Sequence, residues 1–585
     1  MRLVDSRRLT GPNLLLDGPG AILDIALEGA DPERTKMAWS LALQKLDVCR
    51  TDSQTVRTAA RIYPDGLSVA FTADPDVLYT ATEVNEEAFR WSSAVEDLGD
   101  IPGLKGFPVE AARKLRESLS RERKPWFKPL ATQAAEHDVT LLIDDKRVSV
   151  GLGCGSRVWP AEETSEVLSH IPWSELSDIP TALVTGTNGK TTTVRLLGAM
   201  VKAAGLVGGV TSTDRVTVGD DVVATGDYSG PNGARTVLRD RRVEMALLEV
   251  ARGGILRRGL GVPRATAALV TNVANDHLGE FGIFDLEALA DTKMVVAKAV
   301  SQKGRVVLNA EDSRLLERGS KLSVPVIWFT TAPMDHDVAD HRKRGGEACI
   351  VEGKTLVYCR GQEKTPIADV DQIPIAFGGA ARHNVANALG AIGVAIALGL
   401  PIEAIRRGLM EFESTPDANP GRANVWQLSG VTVIVDFAHN PHGLEALAGM
   451  AGAMRAARRA IVIGQAGDRD DDAIREFARA AWAMAPDHVF IKEMEVYLRG
   501  REPGVIPKMI AGELLRCGAK DAALSHWPSE LEAVRAAIEW AREGDLLLLT
   551  THAQRDEVIA LLSRLASEGW GPGRPIDTAV TPRAG

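Results

Sequence analysis

The 585-residue sequence has no C-x-x-C pair, no surplus of basic charge and no apolar run of membrane-spanning length, and each absence removes a class of protein. Its five cysteines, Cys49, Cys154, Cys349, Cys359 and Cys517, are scattered and odd in number. They argue against a disulfide framework and a cysteine zinc site, and read as reduced thiols of a cytoplasmic protein. A formal net charge of −10 argues against nucleic acid as the main partner, because phosphate contacts need a clustered basic surface. The first residues, "MRLVDSRRLTGPNLLLDGPG", are broken by Arg, Thr, Gly, Pro and Asn before a signal-peptide core can form, so neither export nor a membrane is expected. No short-period repeat stands out.

What is present is the balance of a soluble globular protein, 45% hydrophobic and 25% charged, with length enough for three or four domains. Residues 1–178 mix short apolar runs ("LSVAFTA", "VTLLIDD") with charged helical stretches ("EAARKLRESLSRERK") and read as an α+β domain. "SHIPWSELSDIP" reads as a linker. From Thr181 the chain alternates apolar strands with amphipathic helices: "TALVT", "KTTTVRLLGAMVKAAG", "VEMALLEV", "ATAALVT", "LEALADTKMVVAKAV" and "GRVVLN". Such alternation marks a parallel sheet covered on both faces, so residues 179–424 are expected to form an α/β P-loop-type ATPase domain. A second alternation ("VTVIVDF", "AIVIG", "HVFIKE", "DLLLLT") makes residues 425–585 a smaller Rossmann-like α/β domain, with "GPGRPIDTAVTPRAG" as a loose tail.

"TALVTGTNGKTTTVRLLGAM", Thr181 to Met200, nearly spells a phosphate-binding loop, but Val184 stands where the usual pattern has its first glycine. Strand, glycine turn and helix N-terminus in that order aim backbone N–H groups and a helix dipole at one point, where phosphate would sit. Gly186, Thr187, Asn188 and Gly189 would form the cradle, Lys190 would reach the terminal phosphates, and the Thr191 hydroxyl, followed by Thr192, would face magnesium. The plainer reading is a tight strand-to-helix turn that happens to contain Gly-Lys-Thr; the flanking strand and helix favour the site.

Further residues stand beyond the ends of the following strands, where such sheets carry their chemistry. Glu249 ends "ALLEV" ahead of Gly253 and Gly254, Asp276 and His277 follow "ALVTN", and Lys293 lies on a helix. A hydroxyl, a carboxylate and an imidazole suit magnesium, although histidine is the less common ligand. Singly, Glu249 could be a strand-end surface residue, His277 a cap or packed histidine, and Lys293 a solvated lysine. Their joint placement favours function.

In order, "TGTNGKTTT", "LEVARGGILRRGLG", "TNVANDHLG", "HNVANALGA", "NPGRANV" and "DFAHNPHGL" resemble the Mur ligase superfamily of ATP-dependent amide ligases, and within it the ligase half of the cyanophycin synthetases. "SRRLTGPNLLLD" and "VGLGCGS" are similar to the N-terminal domain of that branch. Its members carry an ATP-grasp domain that adds aspartate between the N-terminal domain and the ligase region; here the chain passes directly from "VGLGCGS" to the ligase region. The resemblance therefore implies only the second kind of step, joining arginine to an aspartyl side-chain carboxylate. It implies ATP and Mg2+ held by Lys190 and Thr191, with Glu249 and His277 as further magnesium ligands. Lys293 falls where many members carry a carbamylated lysine. Asn384, with Asn387, would lie near the nucleotide, Arg422 would contact it, and Asp436 would reach ATP. His439 and Asn440 would stand at the reacting end.

A carboxylate is a poor electrophile until it is activated as an acyl phosphate, which an amine can then attack. The expected activity is accordingly an ADP-forming ligase acting on a small-molecule or peptide acid and an amino acid, with no nucleic acid or membrane partner and a homo-oligomer left open. Two charged clusters are candidate amine sites: Asp468, Asp470, Asp471 and Asp472, and Glu493, Glu495, Arg499 and Arg501. Acids at a helix start equally read as dipole-stabilising caps. A nucleotide hydrolase or kinase, and a non-catalytic ATP-binding relative, remain the alternative classes.

Overall fold

The computed structural model describes residues 1–47, 56–94, 106–332 and 336–576. The chain divides into two compact units. The first comprises Met1–Val273, Leu278–Ile367 and Ala388–Gly408; the second comprises Ala274–His277, Ala368–Asn387 and Leu409–Gly585.

The first unit begins with an antiparallel sheet in the order Arg2–Leu9, Gly20–Ala26, Gly66–Thr72, Thr58–Tyr63. Leu23, Ile25, Val69 and Phe71 bury against Trp39 and Val84 of the helices Pro32–Leu46 and Leu78–Ser93, giving the α+β start that alternating patterns predict. The connection between its first two strands reaches beyond this sheet. Thr10 N donates to the Arg258 carbonyl (2.7 Å), Leu260 N donates to the Pro12 carbonyl (2.8 Å), and Lys298 Nζ donates to the Asn13 carbonyl (2.8 Å). The stretch expected to be a linker is packed: Leu152 N donates to Ser177 O (2.9 Å), Ser177 N to Gly155 O (3.0 Å), and Ile171 is buried with Trp159. The polar, turn-rich composition of that stretch hides these pairings.

The main sheet of this unit runs from the edge strand Asp221–Thr225 through Arg215–Val218, Gly208–Thr211, Met245–Glu249, Thr181–Thr185, Ala265–Val270, Val300–Asn309, Val326–Thr330, Glu347–Glu352 and Thr355–Arg360 to Glu363–Asp369. Gly208–Thr211 to Glu347–Glu352 pair parallel in that order, with antiparallel additions at the edges. Thr181–Thr185, Met245–Glu249 and Val326–Thr330 are buried along their whole length, as strands covered on both faces must be.

The second unit carries a sheet in the order Asn424–Leu428, Val431–Asp436, Leu546–Thr550, Arg459–Ile463, His488–Lys492, Leu524–Trp527. All pairs after the first hairpin are parallel. The carboxyl ends of its four inner strands therefore face one side, bringing Asp436, Thr550, Ile463 and Lys492 to one edge. Of the C-terminal stretch read as loose, Ile576 is buried beside Trp570 and Leu561; residues 577–585 lie outside the described residues.

Cys154, Cys349, Cys359 and Cys517 are free thiols, and Cys49 lies outside the described residues. Among the described residues no helix is long and apolar enough to cross a membrane.

Candidate active site

The phosphate loop of the first unit is shaped by its glycines. Val184 is the fourth residue of the Thr181–Thr185 strand, fully buried and paired with Glu249, so the strand continues through the position where the common loop has already turned. The turn begins at Gly186, whose φ of +146° and lack of a side chain are both required: a Cβ there would lie 1.8 Å from Thr271 Oγ1. Gly189, at φ +88°, opens the helix Lys190–Ala203 without a side-chain cap, which leaves the first-turn N–H groups directed outward for an anion.

Thr271 and Asn272, just past the strand Ala265–Val270, fasten the loop. Thr271 Oγ1 donates to Asn188 O (2.6 Å), Asn272 Oδ1 accepts from Asn188 N (3.0 Å), and Thr187 N donates to Asn272 O (3.0 Å). Lys190 Nζ folds back over the turn and donates to the carbonyls of Gly186 (3.1 Å) and Thr187 (3.0 Å).

Thr191 Oγ1 donates to Glu249 Oε2 at 2.9 Å and lies 3.4 Å from Thr213 Oγ1. Glu249 is 2% exposed. A buried carboxylate beside two hydroxyls is an all-oxygen donor set at the mouth of a phosphate loop, and it suits magnesium, which binds through one or two carboxylates together with phosphates and water. Thr192 is buried on the same helix. Lys293 lies on the helix Leu286–Met294 and is 3% exposed, so it is not a solvated surface lysine.

In the second unit, the Asp436 carboxylate closes the strand Val431–Asp436 and accepts from Ala423 N and Ala438 N, both at 2.8 Å. Burial pushes its carboxyl above the ordinary value, opposed by Arg422 and those two N–H groups. The Arg422 guanidinium stands 4.7 Å from the Phe437 ring centroid. Asn384 and Asn387 are buried; Asn384 Nδ2 donates to Ile375 O (2.9 Å), and Asn387 Nδ2 to Asn384 Oδ1 (3.1 Å). Asn440 caps the helix Pro441–Ala453 through Gly443 N (2.9 Å).

His439 Nδ1 lies 3.2 Å from Phe437 O, and because a carbonyl only accepts, Nδ1 carries a proton. Its Nε2 is 3.8 Å from Asp276 Oδ2. Arg469 Nη2 is 3.2 Å from Asp276 Oδ1 and 2.9 Å from His277 Nε2, and His277 adopts a positive φ of +52°. Burial would raise the Asp276 carboxyl, but the hydrogen bond and charge of His439, with His277 and Arg469 alongside, hold it well below the usual carboxylate range. This unit thus gathers Asp276, His277, His439 and Arg469.

The acidic cluster is largely occupied. Asp470 caps the helix Asp471–Trp482, and Asp471 and Asp472 pair with Arg501 and Arg475. Arg501 also donates to the carbonyls of Gly467 (2.9 Å) and Arg469 (2.6 Å).

The family description "Mur ligase middle domain" matches residues 184–395, and "Mur ligase, glutamate ligase domain" matches residues 421–552. The chain belongs to the Mur ligase family. The chain is 36% identical over 410 residues to the cyanophycin synthetase of Trichormus variabilis, covering 70% of this chain and 45% of that protein. It is 26% identical to the UDP-N-acetylmuramoyl-L-alanyl-D-glutamate--2,6-diaminopimelate ligase of Geobacter metallireducens, over 67% of this chain and 80% of the relative. The solved structure of E. coli FolC with ADP aligns over 67% of this chain and 90% of its own at 19% identity, with a TM-score of 0.47. The chain spans less than half the length of the cyanophycin synthetases it matches.

Several residues around these sites went unread in the sequence. Thr213, Thr271 and Asn272 are ordinary loop residues by composition, and the "TN" that opens "TNVANDHLG" is their one signal. Gln465, Lys492, Glu530 and His552, which surround the Asp436–Asn440 loop, carried only one: a lysine ending the apolar strand "HVFIK".

Proposed function

We propose that this member of the Mur ligase family is an ATP-dependent carboxylate–amine ligase that releases ADP. The observation that carries the reading is the Thr191–Glu249 oxygen pair at the mouth of a phosphate loop, within a chain of this family. The carboxylate oxygen of the acid attacks the γ-phosphorus of ATP and ADP leaves, giving an acyl phosphate. The amine nitrogen then attacks the carbonyl carbon, the C–O bond to phosphate breaks, inorganic phosphate departs, and the nitrogen gives up its proton.

The loop N–H groups and Lys190 neutralise and orient the transferring phosphoryl group, an effect of positioning and electrostatics. Thr191 and Glu249 would hold Mg2+, which supplies charge stabilisation to the phosphates when bound; His277 is assigned to the metal by family resemblance alone. Lys293, buried on its helix, is assigned the supporting lysine position by family resemblance. By the same resemblance Asn384, Arg422 and Asp436 serve the nucleotide. His439, set by Phe437 O and facing Asp276, serves the reacting end. For substrates, the likeness to cyanophycin synthetases supports an aspartyl side-chain carboxylate as the acid and arginine as the amine.

The test is Mg2+-dependent ADP release across a matrix of acids, β-aspartyl peptides and cyanophycin fragments, each with and without free amino acids. Turnover that needs one acid and one amine together, and vanishes in Lys190→Ala, is expected. ADP release indifferent to the amine would mean a hydrolase or kinase, and ATP binding with no turnover on any pair would mean a non-catalytic relative.

A further inference from the structure

A set of fully buried polar groups behind the Asp436–Asn440 loop has no part in the chemistry above. The side chains of Lys492 and Glu530 both have 0% exposure. Lys492 Nζ donates to Glu530 Oε2 (2.5 Å) and to the Thr550 carbonyl, and lies 3.2 Å from His552 Nδ1. Replacing such a buried ion pair with apolar residues is often neutral or stabilising, so stability is a weak reason for its presence. Direction is a better one.

An ammonium has three N–H groups and no lone pair, and these three acceptors use all of them. His552 Nδ1 must therefore accept, which puts the ring proton on Nε2, 3.1 Å from the Ala438 carbonyl. Burial, followed by the charges of Lys492 and His439, holds the His552 imidazole well below the ordinary histidine range, in keeping with a neutral ring. Glu530 completes the support by accepting from His552 N (2.8 Å) and Gln554 N (2.8 Å). The neighbouring carbonyls are pinned too: Thr551 N donates to Asp436 O (2.8 Å), and Gln465 Nε2 donates to His439 O (3.0 Å).

We propose that Lys492 is a positioning residue: it fixes His552 as the neutral Nε2–H tautomer, and that N–H holds the Ala438 carbonyl and thereby the aim of His439 at Asp276. The consequence for turnover rests on the ligase reading, whereas the tautomer does not.

The test uses the full chain with 15N-labelled histidine. The His552 ring signals, assigned by their loss in His552→Gln, are expected to show a protonated Nε2 and a bare Nδ1. In Lys492→Met the ring is expected to average between tautomers, and the His439 signals to move with it. A His552 ring protonated at Nδ1 in the wild-type protein, or His552 and His439 spectra unchanged in Lys492→Met, would overturn the proposal. If Lys492→Met does not fold, Lys492→Met with Glu530→Gln removes the pair without stranding a buried carboxylate and is read in the same way.

With an acid–amine pair in hand, His552→Phe should lower kcat about 100-fold at unchanged KM for ATP, the scale expected when a reacting group is misplaced by about 1 Å. His552→Gln, whose amide nitrogen reaches the place of Nε2, should recover most of that loss; equal losses in the two variants would refute the role. A wild-type protein without ligase turnover would defeat the functional reading and leave the histidine spectra to decide this one.

Discussion

The Gly186–Gly189 turn and the Asp436–Asn440 loop both follow the carboxyl ends of parallel strands, yet they are held by opposite means. The first is held sterically, with glycines where any side chain would collide and small neutral partners, Thr271 and Asn272, closing on the backbone. The second is held by donors from two other strand ends, Gln465 after one and Thr551 and His552 after the other, with a buried Lys492–Glu530 pair behind them. A loop fixed by the absence of side chains leaves a composition signature. A loop fixed by distant side chains leaves almost none.

The largest expected break in this comparison is Gly186→Ala. The added methyl meets Thr271 Oγ1 at 1.8 Å in a backbone region that L residues avoid, so about 3 kcal/mol of strain, or about 100-fold in ATP affinity, is expected by titration calorimetry. Wild-type affinity in that variant would show that the turn is not sterically set.

The contrast sharpens with pH. Burial, with the charge of His442, holds the half-buried His383 of the second unit down to about 4, against an ordinary value of 6.5. Below about pH 6.5 the unfolded chain takes up a proton that the folded unit refuses until about pH 4, so stability falls as the pH drops through that window. In urea titrations at pH 7.5 and 5, His383→Gln should lose stability less steeply than the wild type between the two; parallel losses would contradict the assignment.

The smallest effect has the opposite sign to the first. Gly449 lies inside the helix Pro441–Ala453 with nothing within 4 Å of the place a Cβ would take, so Gly449→Ala should raise stability by about 0.5–1 kcal/mol in the same titrations. A loss there would mean that open space around a glycine does not mark it as dispensable.

The same contrast explains what was legible beforehand. The apolar runs "TALVT", "MALLE" and "LLLLT" are strands because a strand buried on both faces has to be continuously apolar, and the loop glycines mark where backbones come close. Glu249 is readable as a carboxylate ending such a strand. Lys492 and Glu530 are not, since 38 residues separate them and each alone looks like a polar residue at an element's end. The Ser169–Pro180 stretch misleads for a related reason: part of what holds it is backbone pairing with Gly151–Gly155, which any sequence of turn residues can make.

The backbone exchange between Thr10–Asn13 and Arg258–Leu260 bears on how this protein can be cut and recombined. A chimera joined at residue 179 would keep every residue assigned to ATP, yet it would take away the Leu260 amide's acceptor and the Arg258 carbonyl's donor one short helix downstream of Glu249. The opening dozen residues are therefore as much a part of the catalytic scaffold as of the domain they begin. A graft that spares them should tolerate exchange of the remainder of that domain better than one that respects its apparent border.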